Sequence, residues 1–123
     1  PPECVHALDV DKLKAPDITF FAARSGHKLL GCIALKHLNA AQVEIKSMRT
    51  PASARRTGTG KRLLEHVIDY AKNTGYQSVW LETGSMDFFA PARQLYLCYG
   101  FQYCGPFAGY QADPNSCFMS KSL

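Results

Sequence analysis

Arg55, Arg56, Thr57, Gly58, Thr59 and Gly60 are the residues whose types and spacing point most directly to chemistry, because they follow a strand-like segment and run straight into an amphipathic helical pattern. Glycines let a ligand oxygen approach the main chain closely, and the first-turn amides of a helix have no carbonyl partner within it. The helix dipole, equivalent to about half a positive charge at that end, favours a phosphate group. Arg55, Arg56, Lys61 and Arg62 add formal charge around the same turn. The plain alternative is a glycine-punctuated turn with a solvated basic rim. Two phosphate motifs are excluded. A Walker loop needs glycine where Arg55 stands and Ser or Thr where Arg62 follows Lys61. A dinucleotide fingerprint starting at Gly58 meets Leu63 where its third glycine belongs, with no following βαβ unit or acidic ribose partner.

Arg55-x-x-Gly58-x-Gly60 at a strand-to-helix junction resembles the pyrophosphate-binding signature of the GNAT N-acetyltransferases, Gln/Arg-x-x-Gly-x-Gly/Ala. A second segment, Ala92-x-x-Leu95-Tyr96-x-x-x-Gly100-Phe101, is similar to that family's Ala-x-x-Leu-Tyr-x-x-x-Gly-Phe motif, in the same order along the chain. Residues 81–93 further resemble a bacterial subgroup of small acetyltransferases of the YsnE type. The resemblance spans nearly the whole chain. It implies a mixed α/β (α+β) acyl-CoA N-acyltransferase fold, with a central, mostly antiparallel sheet and helices on both faces. It also implies acetyl transfer from acetyl-CoA to a primary amine of a small molecule, by direct attack and without a metal.

Direct transfer needs a neutral amine, hence a proton acceptor, and a proton donor for the departing thiolate; each contributes roughly 10²–10⁴-fold. On the family's motif Tyr96 falls at the donor position, although an aromatic at that point of a helix also suits simple core packing. The resemblance offers Glu82, at a strand end, as the first choice for the base and Glu44, on the strand before the glycine-rich turn, as the competing position. Either carboxylate also fits an ordinary structural or solvated role. The cofactor would lie along Met48, Arg49 and Thr50 and against Arg55, Arg56, Thr57, Gly58, Thr59, Gly60 and Lys61. Where many members carry an Asn seven residues before the tyrosine, this chain has Phe89. Phe88, Phe89, Phe107 and Tyr110 are the candidate acceptor-binding residues, within the irregular stretches 88–91 and 105–115; residues 1–14 are the third such stretch. Phe88 and Phe89 serve equally as packing before a helix.

The elements that must position these groups are readable from patterning. Residues 3–14 predict a short helix, and 18–24 with 28–38 a hairpin. Residues 42–49 alternate Val43, Ile45 and Ser47 against Gln42, Glu44, Lys46 and Met48, as a strand does. Leu63, Leu64, Val67, Ile68 and Ala71 make one helical stripe that Gly75 stops. Residues 78–82 predict a strand, Pro91 opens a helix that Gly100 ends, and 101–104 and 116–121 supply the last strands.

At 123 residues and 46% hydrophobic content, the chain suits one compact domain over 1–123, N-terminally short against the family pattern. Five cysteines without Cys-x-x-Cys spacing read as buried thiols of a reducing, cytoplasmic protein. His6, His27, His37 and His66 lack metal-ligand spacing, and surface or packing roles are expected for them. No apolar run approaches a membrane span. A net charge of +4 suits an anionic cofactor but falls short of implying nucleic acid, and no base-stacking aromatics interleave the basic cluster. Membrane and nucleic-acid partners are not expected, and a homodimer is left open. A non-catalytic acyl-CoA-binding or sensing module is the alternative to an enzyme.

Overall fold

The computed structural model describes residues 16–26, 28–49 and 58–123. The expected helix over 3–14, and the site candidates Thr50, Arg55, Arg56 and Thr57, lie outside the described residues. Six strands form one sheet: β1 (Ile18–Ser25), β2 (Lys28–His37), β3 (Gln42–Arg49), β4 (Ser78–Gly84), β5 (Gln102–Cys104) and β6 (Ser116–Ser122), in the order β1-β2-β3-β4-β6-β5. Helix α1 (Thr59–Thr74) joins β3 to β4, and α2 (Ala90–Cys98), preceded by a 3₁₀ turn at Asp87–Phe89, joins β4 to β5. Neighbouring strands pair antiparallel except β3 and β4, which run parallel.

Both helical crossovers link parallel strands and advance the same way across the sheet, so right-handed connections put both helices on one face. The core shows this directly. Leu63, Leu64, Val67 and Ala71 of α1 and Tyr96 of α2 share one cluster with Val43, Ile45, Val79, Leu81, Met119 and Phe101. Each fully buried side chain of this size contributes about 1.5–3 kcal/mol, so the apolar stripe holds α1 in place more than helix propensity does. On the opposite face stand Glu44, Trp80, Glu82 and Phe118, where the described covering is the loop between β5 and β6, through Phe107 and Tyr110.

Three expectations shift. The alternation expected along β3 breaks at a bulge, since Leu35 pairs with Ile45 and the adjacent Ala34 with Ser47, leaving Lys46 as the extra residue. Beyond it the faces exchange: Met48 joins the helix-side core and Ser47 moves to the face of Glu44. Strand β4 runs two residues past Glu82, because β6 pairs with it through Gly84, so Glu82 is interior to the strand. Of the four described cysteines only Cys32 is buried; Cys98 is exposed, and Cys104 and Cys117 are half-buried. His66 does sit at the margin of the α1 stripe, its ring 5.1 Å edge-on from Phe21.

Candidate active site

The parallel pairing of β3 with β4 runs from Gln42 with Ser78 to Ile45 with Leu81 and stops there. Both strands continue: β3 stays paired to β2 up to Arg49, and β4 to β6 up to Gly84. The facing edges of 46–49 and 82–84 therefore have no ladder between them, and the sheet splays open from Ile45 and Leu81 outward. Backbone polar groups along such an opening are available to an inserted ligand. Ser47 Oγ, beside it, is fully enclosed and without a hydrogen bond among the described residues, the kind of buried polar group that calls for a ligand or water.

The start of α1 stands at the end of β3. Gly58 precedes it with φ +82°, a left-handed backbone that favours glycine, and no side-chain cap closes the helix start. The first turn carries no acidic residue, while Lys61 and Arg62 are exposed on it. Gly31 of β2 makes the close seating of this helix end possible: a Cβ there would lie 2.9 Å from the Arg49 carbonyl oxygen and 3.0 Å from Thr59 Cγ2. Its role depends on contact across the sheet, and nothing local in the sequence marks it. The open splay, the uncapped helix start with glycine before it and the adjoining cations together suit the pantetheine and pyrophosphate of an acyl-CoA.

Tyr96 projects from α2 into the helix-side core, 6% exposed, with its ring 5.6 Å from Phe101. Burial pushes its phenol up to about 12, so the hydroxyl keeps its proton throughout the neutral range. The packing role and the motif role meet in the same residue. Glu44 lies on the other face, 3% exposed, and accepts a hydrogen bond at Oε2 from the Tyr110 hydroxyl at 2.7 Å. Lys46 Nζ stands 3.8 Å from the same oxygen and donates to the Tyr110 hydroxyl at 3.0 Å. Oε1 of Glu44 has no hydrogen-bond partner among the described residues. Glu82 is exposed, and its Oε2 accepts from Ser116 Oγ at 2.8 Å. Glu44, Glu82, Tyr110 and Phe107 thus share one face, Tyr96 belongs to the other, and the splay connects the two. Lys46, Ser47 and Ser116 were not anticipated as site residues; the bulge that moves Ser47 to this face has no sequence signature.

Phe88 is 77% exposed and touches Phe89 edge-on, ring centres 5.0 Å apart. Phe89 instead fills the space above Gly84, where a Cβ would come within 2.1 Å of its ring, so packing is its evident role. Arg93 ties this corner together, its guanidinium donating to the carbonyls of Gly84 at 2.7 Å and Met86 at 3.0 Å. A separate open groove of roughly 250 Å³, lined by Phe21, Ala22, Ala23, Arg62, Leu63 and His66, lies between β1 and the first turns of α1 and contains none of the expected site residues. Among the described residues no group of His, Cys, Asp or Glu is placed to hold a metal, and no helix is long and apolar enough to cross a membrane.

A mostly antiparallel sheet with one splayed parallel pair, fed by a glycine-led helix start, defines an acyl-CoA-dependent N-acyltransferase. The chain belongs to the GNAT acetyltransferases: the model of the "Acetyltransferase (GNAT) family" matches residues 1–101. It is 55% identical over 123 residues to the uncharacterised N-acetyltransferase YsnE of Bacillus subtilis, covering 100% of this chain and 82% of that protein. It is 39% identical over 124 residues to a protein named IAA acetyltransferase from Azospirillum brasilense, covering 100% of this chain and 80% of that one. Among solved structures, an acyl-CoA N-acyltransferase from Klebsiella pneumoniae superposes with a TM-score of 0.83 at 30% identity, over 98% of this chain and 83% of that chain. The protein is accordingly an N-acetyltransferase of the YsnE-like subgroup.

Proposed function

We propose that the chain transfers the acetyl group of acetyl-CoA to a primary amine of a small molecule by direct attack, with Glu44 as base and Tyr96 as acid. The observation that carries this reading is the splay between β3 and β4, an opening that joins the face of the buried carboxylate to the face of the protonated phenol. Acetyl-CoA, when bound, supplies a thioester carbonyl as electrophile and a thiolate as leaving group. The residues fit it: the amides of Gly60 and Lys61 with the α1 dipole suit the pyrophosphate, and the β3 edge at Met48 and Arg49 suits the pantetheine. Thr50, Arg55, Arg56 and Thr57 are assigned to the same ligand by motif alone.

Glu44 rather than Glu82 is favoured as the base. Its Oε1 has no partner among the described residues, on a nearly buried carboxylate beside the opening, whereas Glu82 is exposed and occupied by Ser116. Tyr96 holds its proton at the hydroxyl until the sulfur needs one. Phe88 and the loop residues Phe107 and Tyr110 border the acceptor side. The name of the Azospirillum relative supports a small-molecule acceptor. A panel of small amines, followed by free-thiol release from acetyl-CoA with mass detection of the acylated product, tests the assignment. Amine-dependent release is expected. Tight acetyl-CoA binding with no release for any amine would instead establish a non-catalytic acyl-CoA-binding module.

A further inference from the structure

Tyr110 belongs to the loop between β5 and β6, and its ring is wedged between Phe107 and Phe118, with centres 5.2 and 5.7 Å away. Its hydroxyl donates to Glu44 Oε2 while accepting from Lys46 Nζ, and that ammonium also stands 3.8 Å from Oε2 and 5.6 Å from the centre of the Tyr110 ring. Three side chains, two on one strand and one more than sixty residues away, therefore close a triangle around a single carboxylate oxygen. A glutamate carboxylate otherwise turns freely about its last torsion, whose profile is broad and two-fold. Here any rotation of the carboxylate away from this orientation would break the Tyr110 hydrogen bond and the Lys46 contact together.

Resting on the assignment of Glu44 as base, we propose that Tyr110 and Lys46 are a positioning pair that holds Glu44 by Oε2 and reserves Oε1 for the amine proton. Neither side chain is required to touch the substrate. The phenol donates to the carboxylate and the ammonium stands beside the same oxygen, so both hold it in one orientation. Burial, then the hydrogen bond to Glu44 and the charges of Glu44 and Glu82, push the Tyr110 phenol well above its ordinary value, so it remains a donor at any working pH. Among the described residues, the other charged groups on this side of the sheet include Lys36, opposite Glu44 on β2, Arg49 further along β3 and Glu82 on β4; none of these makes a hydrogen bond to Glu44. Lys46 lies two residues from Glu44 on β3, where strand alternation already puts both side chains on one side of the sheet.

Tyr110→Phe keeps the ring and removes only the hydroxyl; Lys46→Met keeps the stem and removes the charge. With an amine that the unchanged enzyme acetylates, each is expected to melt normally, to bind acetyl-CoA as tightly as before, and to lower kcat by about tenfold or more, the usual effect of losing a hydrogen bond or ion contact to a charged group. In a Glu44→Gln background, Tyr110→Phe should have no further effect. An equal loss in that background would show that Tyr110 acts independently of Glu44 and would overturn the proposal, as would an unchanged kcat in the single variants. A Glu44→Gln enzyme of full activity would refute the choice of base, a separate outcome from either.

Discussion

Replacing Tyr96 with Phe removes one hydroxyl from the helix-side core and leaves the ring against Phe101. That hydroxyl has no hydrogen-bond partner among the described residues, so the variant should fold and melt at or slightly above the temperature of the unchanged protein. The phenol is raised in the folded state to about 12 from an ordinary value near 10, by burial. A folded-state value above the unfolded one stabilises the protein below pH 10, and that contribution is lost as pH rises toward 12. Two units correspond to roughly 2–3 kcal/mol of alkaline sensitivity, most of it developed by pH 11.5, which the Phe variant should lack; comparing the two proteins by urea titration at pH 9 and pH 11.5 cancels the other tyrosines. Catalytically, loss of the proton donor should lower kcat by roughly 10²–10⁴, or about 2.7–5.5 kcal/mol in the barrier, with the KM for acetyl-CoA nearly unchanged. Thiol release at saturating acetyl-CoA and an accepted amine, followed from pH 6 to 10, reads this. A Tyr96→Phe enzyme with the original kcat throughout that range would refute the acid role, and equal alkaline sensitivity would refute the enclosed, protonated phenol.

Gly60→Val places a β-branched side chain in the first turn of α1 and should abolish acetyl-CoA binding, measured by calorimetry, in a protein that still melts cooperatively. Gly31→Ala should cost about 1–3 kcal/mol, because its Cβ would meet the Arg49 carbonyl at 2.9 Å, and should weaken acetyl-CoA binding by displacing the start of α1; unaltered stability and affinity would contradict the close seating. Phe107→Ala and Phe88→Ala should change the relative kcat/KM among amines while leaving acetyl-CoA affinity intact, and a uniform loss of cofactor binding would show that they serve another purpose.

The hairpin, the α1 stripe from Leu63 to Ala71, the proline-led α2 and the uncapped start at Gly58 were legible because each depends on local periodicity or on a residue with a fixed backbone preference. Tyr96 on its helix and Glu44 on its strand were legible through motif and patterning, whereas the continuation of β4 past Glu82 was not, because it depends on pairing with β6. What the chain did not disclose is everything set by packing across the sheet. The β3 bulge depends on its pairing with β2 and turns Ser47 and Met48 away from the alternation their neighbours predict. The contact of Tyr110 with Glu44 joins residues from separate ends of the fold, and the closeness of Gly31 to Thr59 and of Gly84 to Phe89 exists only once helix and sheet meet. The preference for Glu44 over Glu82 as base rests on burial and on which carboxylate oxygen lacks a partner, and neither is written in the order of residues.

The most direct test of the central claim is amine-dependent thiol release from acetyl-CoA measured side by side for the unchanged enzyme, Glu44→Gln and Glu82→Gln, with acetyl-CoA affinity checked in each. The account predicts that Glu44→Gln keeps that affinity and loses about 10²-fold or more of turnover, while Glu82→Gln stays within a few-fold of the unchanged enzyme. Full turnover by Glu44→Gln with an amine the unchanged enzyme acetylates would contradict it.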